Sequence, residues 1–171
     1  MPVAGFGDPA LQWGMPSRDH IRRLSEVWAK HPIHFLTLCT HRRQPILTRQ
    51  HVPALLIDSW HASPRINGWH IGRYVVMPDH VHFFAQPAGA GKSLSAFLRD
   101  WKRWTSRQIT RTLRCESPIW QEEFFDHVLR SPGSYDQKWD YVRENPVRAG
   151  LAVKVDDWPY AGECERLFLK L

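Results

Sequence analysis

Hydrophobic residues cluster in four short segments whose composition is typical of β-strands. β-Branched and aromatic residues dominate these segments, which are bounded by Pro, Gly and polar residues. Gly72 is expected to bend the second strand, and Pro78-Asp79 forms a tight turn that makes the second and third strands antiparallel neighbours. We therefore predict strands at residues 33–40, 66–77, 80–86 and 119–130, the last as a strand or an extended segment.

Three longer segments place apolar residues three or four positions apart, which is the spacing of an amphipathic helix. Proline is common just past the end of a helix, and serine is a frequent N-cap. We predict helices from Thr48 to just before Pro64, over residues 94–112 with Ser93 as N-cap, and over residues 134–144 up to Asn145-Pro146.

This order of strands and helices predicts an α+β domain. The simplest arrangement is an antiparallel sheet with helices packed on one face, and we place it at residues 31–146. Residues 1–20 contain glycine and proline without periodicity, which predicts an irregular N-terminal arm, and residues 21–30 predict a short basic helix. Residues 147–171 form a turn-rich C-terminal tail.

Composition limits the class of protein and its partners. The 171 residues suffice for one domain, and 43% hydrophobic residues argue against extensive disorder. A net charge of +6 favours a polyanionic partner, either nucleic acid or an acidic membrane surface. No segment is apolar enough to span a membrane, and no secretory signal is recognisable. Three distant cysteines without a CxxC argue against a disulfide framework and a thiolate zinc site, so we expect a cytoplasmic protein.

Two histidines, His80 and His82, flank Val81 on the predicted third strand. Alternate side chains of a strand point to the same face, so both imidazoles project from one side, with Cα atoms about 7 Å apart. A neutral imidazole is a good ligand for a divalent transition metal, so the pair could hold one ion. The alternative is two unrelated histidines on a solvated strand.

Tyr141 and Asn145 lie four residues apart in the predicted last helix, on one face and one turn apart. The Asn145 amide oxygen could be a third ligand of the same ion. A phenol with a pKa of about 10 is a weak nucleophile, but a metal beside a phosphate would neutralise charge and stabilise the leaving oxygen. The alternative is that Tyr141 is an ordinary helix residue and Asn145 a helix end before proline.

These segments occur in a combination that resembles a known family. YVVMPDHVHFFAQP, followed later in the chain by YVRENPVRAGL and then DWPY, resembles the REP-associated tyrosine transposases, relatives of the single-tyrosine transposases of small bacterial insertion sequences. WQEEFFDHVLRS and HFLTLCT resemble the same family, so the resemblance covers roughly residues 30–160.

The resemblance implies a ferredoxin-like antiparallel sheet of the HUH-endonuclease type. It implies that His80, His82 and Asn145 bind a divalent metal, Mg²⁺ or Mn²⁺, and that Tyr141 is the catalytic nucleophile. Two imidazoles and an amide are softer than the oxygen ligands that Mg²⁺ prefers, which favours Mn²⁺.

The implied substrate is single-stranded DNA that carries a hairpin, a repetitive extragenic palindrome. The implied reaction cuts it through a 5′-phosphotyrosine and rejoins it by attack of a 3′-OH. The resemblance further implies a monomer rather than a homodimer, and we expect the C-terminal tail to pack on or near the active site or to touch DNA.

Other residues and functions stay open. Tyr135 is the rival nucleophile, although it lies six residues before Tyr141, on roughly the opposite helix face, and lacks an Asn one turn later. The second helix carries many basic residues, and its alternative role is a solvated charged face. Alternative functions are a silent module that binds palindromic DNA and a metal-dependent nuclease that uses water. The candidates for contact with DNA phosphates are Lys102, Arg103, Arg107, Arg111, Arg143 and Arg148.

Overall fold

The computed structural model describes residues 31–89 and 91–169. The predicted arm and basic helix at residues 1–30 lie outside the described residues. Five antiparallel strands form one sheet in the order β4-β1-β3-β2-β5. The strands are β1 (Ile33–Cys39), β2 (Trp69–Val76), β3 (His80–Pro87), β4 (Phe125–Leu129) and β5 (Ala161–Glu163).

Four α-helices and two short 3-10 helices, His41–Arg43 and Val155–Asp157, connect or follow these strands in the described residues. The α-helices are α1 (Val52–Asn67), α2 (Leu94–Leu113), α3 (Pro132–Arg143) and the four-residue α4 (Asn145–Arg148). The order β1-α1-β2-β3-α2-β4, with the first four strands arranged 4-1-3-2, is the ferredoxin-like topology, which confirms the predicted α+β fold. No helix in residues 31–89 and 91–169 is long and apolar enough to cross a membrane.

Several local predictions hold. Ser93 caps α2, since its hydroxyl accepts a hydrogen bond from the Ala96 amide at 3.3 Å. The register of β2 against β3 shifts between Ile71 and Tyr74, an interval that contains the predicted bend position Gly72. A Cβ at Gly72 would lie only 2.8 Å from the side chain of Leu167, so the missing side chain also lets the C-terminal tail approach the sheet.

The prediction for α1 is wrong at both ends. The helix begins at Val52 rather than Thr48 because Pro53 then occupies the first turn, where its missing N–H costs no hydrogen bond. Pro64 lies inside the last turn rather than past it, and the helix continues until Gly68, whose left-handed φ of 73° ends it. Trp60 is fully buried one turn before Pro64, and its packing stabilises the end of the helix despite the proline.

Helices cover both faces of the sheet, which corrects the expectation that they pack on one. Helices α1 and α2 pack on one face, where Trp60, Phe97 and Trp101 contact strand residues in a large apolar cluster. Helix α3 packs on the other face through Tyr135 and Val142. Strand positions alternate between these two cores, so β1 and β3 are buried along almost their whole length on both faces of the sheet.

The last part of the chain contributes a strand that the sequence did not predict. β5, in the segment interpreted as turn-rich, pairs antiparallel with β2. The indole of Trp158 donates to the Val76 carbonyl at 3.0 Å, and Leu167 joins the apolar cluster under α3. The Gln86 amide of β3 donates to the Phe168 carbonyl at 2.7 Å. The tail therefore packs on the sheet face that also carries α3.

Candidate active site

His82 is the most buried polar residue of the face covered by α3. Its cross-strand neighbours are Thr37 of β1 and Val75 of β2, and cross-strand neighbours point to the same face. The Thr37 hydroxyl oxygen lies 2.8 Å from His82 Nδ1. Burial, and then the charges of His80 and nearby basic residues, hold the pKa of His82 well below its usual value. The imidazole is therefore neutral at pH 7, as a metal ligand must be.

His80 lies beside His82 on the same face, as the alternation on the strand predicts. Their ring centroids are 4.7 Å apart and the ring planes are nearly perpendicular. His80 Nδ1 lies 2.7 Å from Asp79, whose other carboxylate oxygen accepts from Arg43 at 2.8 Å. Partial burial alone would raise the pKa of Asp79, but the bond with His80 and the charge of Arg43 hold it below its usual value.

The two imidazoles fit a divalent metal. The Nδ1 atom of each ring faces a polar group of the protein, and such outer partners orient metal-binding histidines so that Nε2 is the ligand atom. His82 Nε2 is buried and has no hydrogen-bond partner among the described residues. A buried nitrogen without a partner is costly, and a bound cation would satisfy it. Within residues 31–89 and 91–169, no group of three His, Cys, Asp or Glu side chains is placed to hold a metal ion.

Tyr141 lies on the same side of the sheet as the imidazole pair. Its partly buried ring packs against the apolar cluster that contains Phe35, and the ring of Phe35 stacks on His82 with centroids 5.5 Å apart. The guanidinium of Arg148 lies 4.2 Å from the centre of the Tyr141 ring, and the charge of Arg148 contributes to the lowered pKa of His82. The structure therefore brings Tyr141, Arg148 and the histidines to one region.

The rival Tyr135 occupies a different environment on α3. Its side chain is buried against Phe84, with ring centroids 4.7 Å apart, and the guanidinium of Arg73 covers its ring at 5.0 Å. Burial raises the pKa of the Tyr135 phenol to about 12, against the opposing charge of Arg73. A buried phenol that resists ionisation is a core residue rather than a ready nucleophile.

Asn145 does not lie on the same helix as Tyr141, which corrects the predicted relation. Helix α3 ends at Arg143, and Pro146 opens α4 rather than simply ending a helix. Proline in the first turn of a helix has a suitable φ and no amide that needs a partner. Asn145 is buried, and its amide oxygen accepts a hydrogen bond from Arg148 at 2.8 Å. An amide oxygen has a second lone pair, so this bond leaves one position for a cation.

Arg148 of α4 links this helix to the end of α3 through hydrogen bonds. Its guanidinium donates to Glu144 at 3.0 Å, to the Tyr141 carbonyl and to Asn145. Arg143, by contrast, points to the tail and lies 3.6 Å from Asp156. Of the two arginines expected to contact DNA near Tyr141, Arg148 is thus the one that lies against the Tyr141 ring.

The basic residues of α2 lie on the opposite layer of the molecule, away from His82 and Tyr141. Arg103, Arg107 and Arg111 are exposed and follow one another at intervals of four residues. None of the three forms a salt bridge with another described residue. Lys102 differs, because burial lowers its pKa and its ammonium donates to the carbonyls of a neighbouring loop. These carbonyls belong to Gln121, Glu122 and Glu123.

Two residues of the site carry no signal in the linear sequence. Thr37 is 45 residues before His82 and becomes its partner only through the register of β1 against β3. Lys138 lies on α3 with its ammonium 5.2 Å from the centre of the Phe35 ring. Knowledge of the strand pairing would have identified Thr37, because its position opposite His82 follows from the register.

Comparisons with known proteins identify the family and the fold of this chain. The sequence pattern of the family described as "Transposase IS200 like" matches residues 28–144. A REP-associated tyrosine transposase of Escherichia coli K12 is 30% identical over 122 residues, covering 71% of this chain and 69% of the relative. A relative from Haemophilus influenzae is 30% identical over 95 residues, which cover 50% of this chain and 54% of the relative. A solved REP-associated tyrosine transposase bound to a REP hairpin is 27% identical, has a TM-score of 0.63, and covers 80% of this chain and 79% of its own.

Proposed function

Since this chain belongs to the IS200-like transposase family and is related to REP-associated tyrosine transposases, we propose that it cuts and rejoins single-stranded DNA through a covalent bond to Tyr141. The observation that carries the proposal is the convergence of Tyr141 and the buried pair His80 and His82 on one face of the sheet. Enzymes of this kind need a nucleophile and a phosphate-binding cation side by side.

We assign the metal to His80, His82 and the amide oxygen of Asn145. A divalent cation held there, Mg²⁺ or Mn²⁺, would neutralise charge on the scissile phosphate and stabilise the leaving oxygen. Asp79 and Thr37 orient the two imidazoles through their Nδ1 atoms. Arg148 holds Asn145 close to Tyr141 through its two hydrogen bonds in this region.

The chemical step exchanges one phosphodiester for another. The Tyr141 oxygen forms a bond to phosphorus while the bond from phosphorus to the 3′ oxygen breaks. The phenolic proton ends on the departing 3′ oxygen, which leaves a 5′-phosphotyrosine and a free 3′-OH. Attack by a 3′-OH reverses the step, reseals the DNA and returns the proton to Tyr141. Because the number of phosphodiester bonds is conserved, the reaction needs no external energy source.

We propose single-stranded DNA with a hairpin as the substrate, since a relative's structure contains a REP hairpin. The exposed Arg103, Arg107 and Arg111 are the candidates of α2 for phosphate contacts, with Arg143 and Arg148 near Tyr141. Lys102 is a weaker candidate, because its ammonium would first have to leave three carbonyls. We further propose that the protein acts as a monomer in the bacterial cytoplasm, where chromosomal DNA is its partner.

The decisive experiment is a denaturing gel after incubation with labelled, hairpin-bearing single-stranded DNA and Mn²⁺. We expect a protein–DNA adduct that disappears with a chelator and in Tyr141→Phe. Tyr135→Phe is the matched control, since it removes a hydroxyl from the same helix, and it should keep the adduct. An adduct that survives in Tyr141→Phe refutes the assigned nucleophile. Cutting without an adduct would indicate a hydrolytic nuclease, and a gel shift without cutting a DNA-binding module.

A further inference from the structure

Lys138 is a cation of α3 that lies close to the proposed reaction centre. It precedes Tyr141 by three residues, and residues three apart on a helix are neighbours on its surface. Its ammonium nitrogen is 5.2 Å from the centre of the Phe35 ring, which in turn stacks on His82. Lys138 thus reaches from the helix of Tyr141 to the strand residues that flank the imidazoles.

The ammonium of Lys138 has no anionic partner in residues 31–89 and 91–169. Its contact there is with the face of the Phe35 ring. Burial lowers the pKa of Lys138, which means that the charged form has lost hydration that no carboxylate replaces. Lys102, another half-buried lysine, has three backbone carbonyls as acceptors. Arg148, whose guanidinium lies over the Tyr141 ring, is bonded to Glu144 and Asn145.

We propose that Lys138 is a further catalytic residue whose ammonium contacts a non-bridging oxygen of the scissile phosphate. The inference rests on the proposed function, because it places that phosphate between Tyr141 and the imidazole pair. A phosphodiester carries one negative charge, and a partly desolvated ammonium without an anion is a complementary site for it. Lys138 exchanges no proton and forms no covalent bond in this role.

The position of Lys138 suits the charge that develops during the reaction. When the Tyr141 oxygen attacks, negative charge is redistributed over the oxygens around phosphorus. A cation already held at that place by the Phe35 ring stabilises this charge without having to reorganise. An ammonium is a compact point charge with three donors, so it can follow the phosphate oxygens as the geometry inverts.

The experiment compares Lys138→Met, which keeps the length of the side chain but removes its charge, with Lys138→Arg. Lys154→Met is the matched control, because Lys154 is an exposed lysine of the tail. The first readout is the single-turnover rate of adduct formation with hairpin-bearing DNA and Mn²⁺. The second is the affinity for the same DNA, measured in a Tyr141→Phe background so that no covalent product forms. The third is the thermal midpoint of unfolding.

We expect Lys138→Met to slow adduct formation by about 100-fold, the usual effect of removing one charge-stabilising donor. DNA affinity should fall far less than the rate, the thermal midpoint should change little, and Lys138→Arg should recover most of the rate. The inference is overturned if Lys138→Met forms the adduct at a rate within about threefold of the wild type, because loss of a charge-stabilising donor should slow the reaction by about 100-fold. A loss of rate that follows a loss of stability, without recovery in Lys138→Arg, shows a structural cation and also overturns it. If the wild type forms no adduct, the proposed function fails and this inference with it.

Discussion

The bond between Thr37 and His82 links the fold most directly to metal binding, and Thr37→Val removes it with little change in shape. Both side chains are buried, and the oxygen and nitrogen atoms are 2.8 Å apart. When His82 Nδ1–H donates to the hydroxyl oxygen, the lone pair on Nε2 is free for a cation. Valine offers no acceptor, so His82 loses the group that selects this tautomer and holds its ring.

The burial of this pair sets two expected magnitudes for the substitution. The Nδ1 atom would be left buried without a partner, which costs about 1–3 kcal/mol in the free energy of unfolding. Loss of the outer partner of a metal-binding histidine lowers metal affinity by about 10–100-fold. Thr37→Ser keeps an oxygen at the same place and should recover most of the affinity.

Both quantities can be measured separately. Urea denaturation of the metal-free protein reports stability, and the electron paramagnetic resonance signal of free Mn²⁺ reports binding without any DNA. Thr105→Val is the matched control, because Thr105 is a buried threonine on the other layer that accepts from Trp120 at 2.9 Å. It should lose a similar amount of stability, about 1–3 kcal/mol, and keep its Mn²⁺ affinity. If Thr37→Val binds Mn²⁺ as tightly as the wild type, His82 is not oriented by Thr37 as a metal ligand and the reasoning fails.

Three further predictions concern the site and the core. His80→Ala should lose adduct formation but keep hairpin binding in a gel shift, whereas loss of binding as well would show that the histidines serve the fold. Phe83→Ala removes a fully buried ring from the core under α1 and α2 and should cost about 3–5 kcal/mol in urea denaturation, with a cost under 1 kcal/mol contradicting this packing. The pKa of the Tyr135 phenol is about 12 in the folded protein and about 10 in the unfolded chain, so the folded state binds more protons between these values and stability should fall as pH rises from 10 to 12. Tyr135→Phe should reduce that fall in denaturation experiments at pH 9 and 11, and an unchanged fall would show that Tyr135 does not cause it.

Local signals in the sequence were sufficient for most of the elements. Three of the four predicted strands correspond closely to β1, β2 and β3, because each stretch of β-branched and aromatic residues is bounded by turn residues within a few positions. Ser93 was identified as a cap because capping involves only the next turn of the helix. The pairing of His80 and His82 on one face followed from the two-residue period of a strand. All of these features depend on interactions between residues close in the chain.

The errors occur where distant segments compete with local preference. Strand β5 forms because the edge of β2 offers unpaired backbone groups, although its own sequence indicates turns. Helix α1 continues past Pro64, because buried packing around Trp60 outweighs the cost of one proline near its end. Helices lie on both faces because apolar strand residues point to both sides of the sheet. The order of the elements had suggested helices on one face as the simplest arrangement.

The environment of the site depended most on tertiary structure. The residue types His80, His82, Tyr141 and Asn145 were recognisable from their spacing and from the family resemblance. Their partners were not recognisable in this way. Thr37 meets His82 through strand register, Lys138 reaches the Phe35 ring through the packing of α3, and Arg148 reaches Tyr141 and Asn145 from helix α4. Spacing along one element defines which side chains share a face, but burial and the pairing of distant segments decide what each side chain contacts.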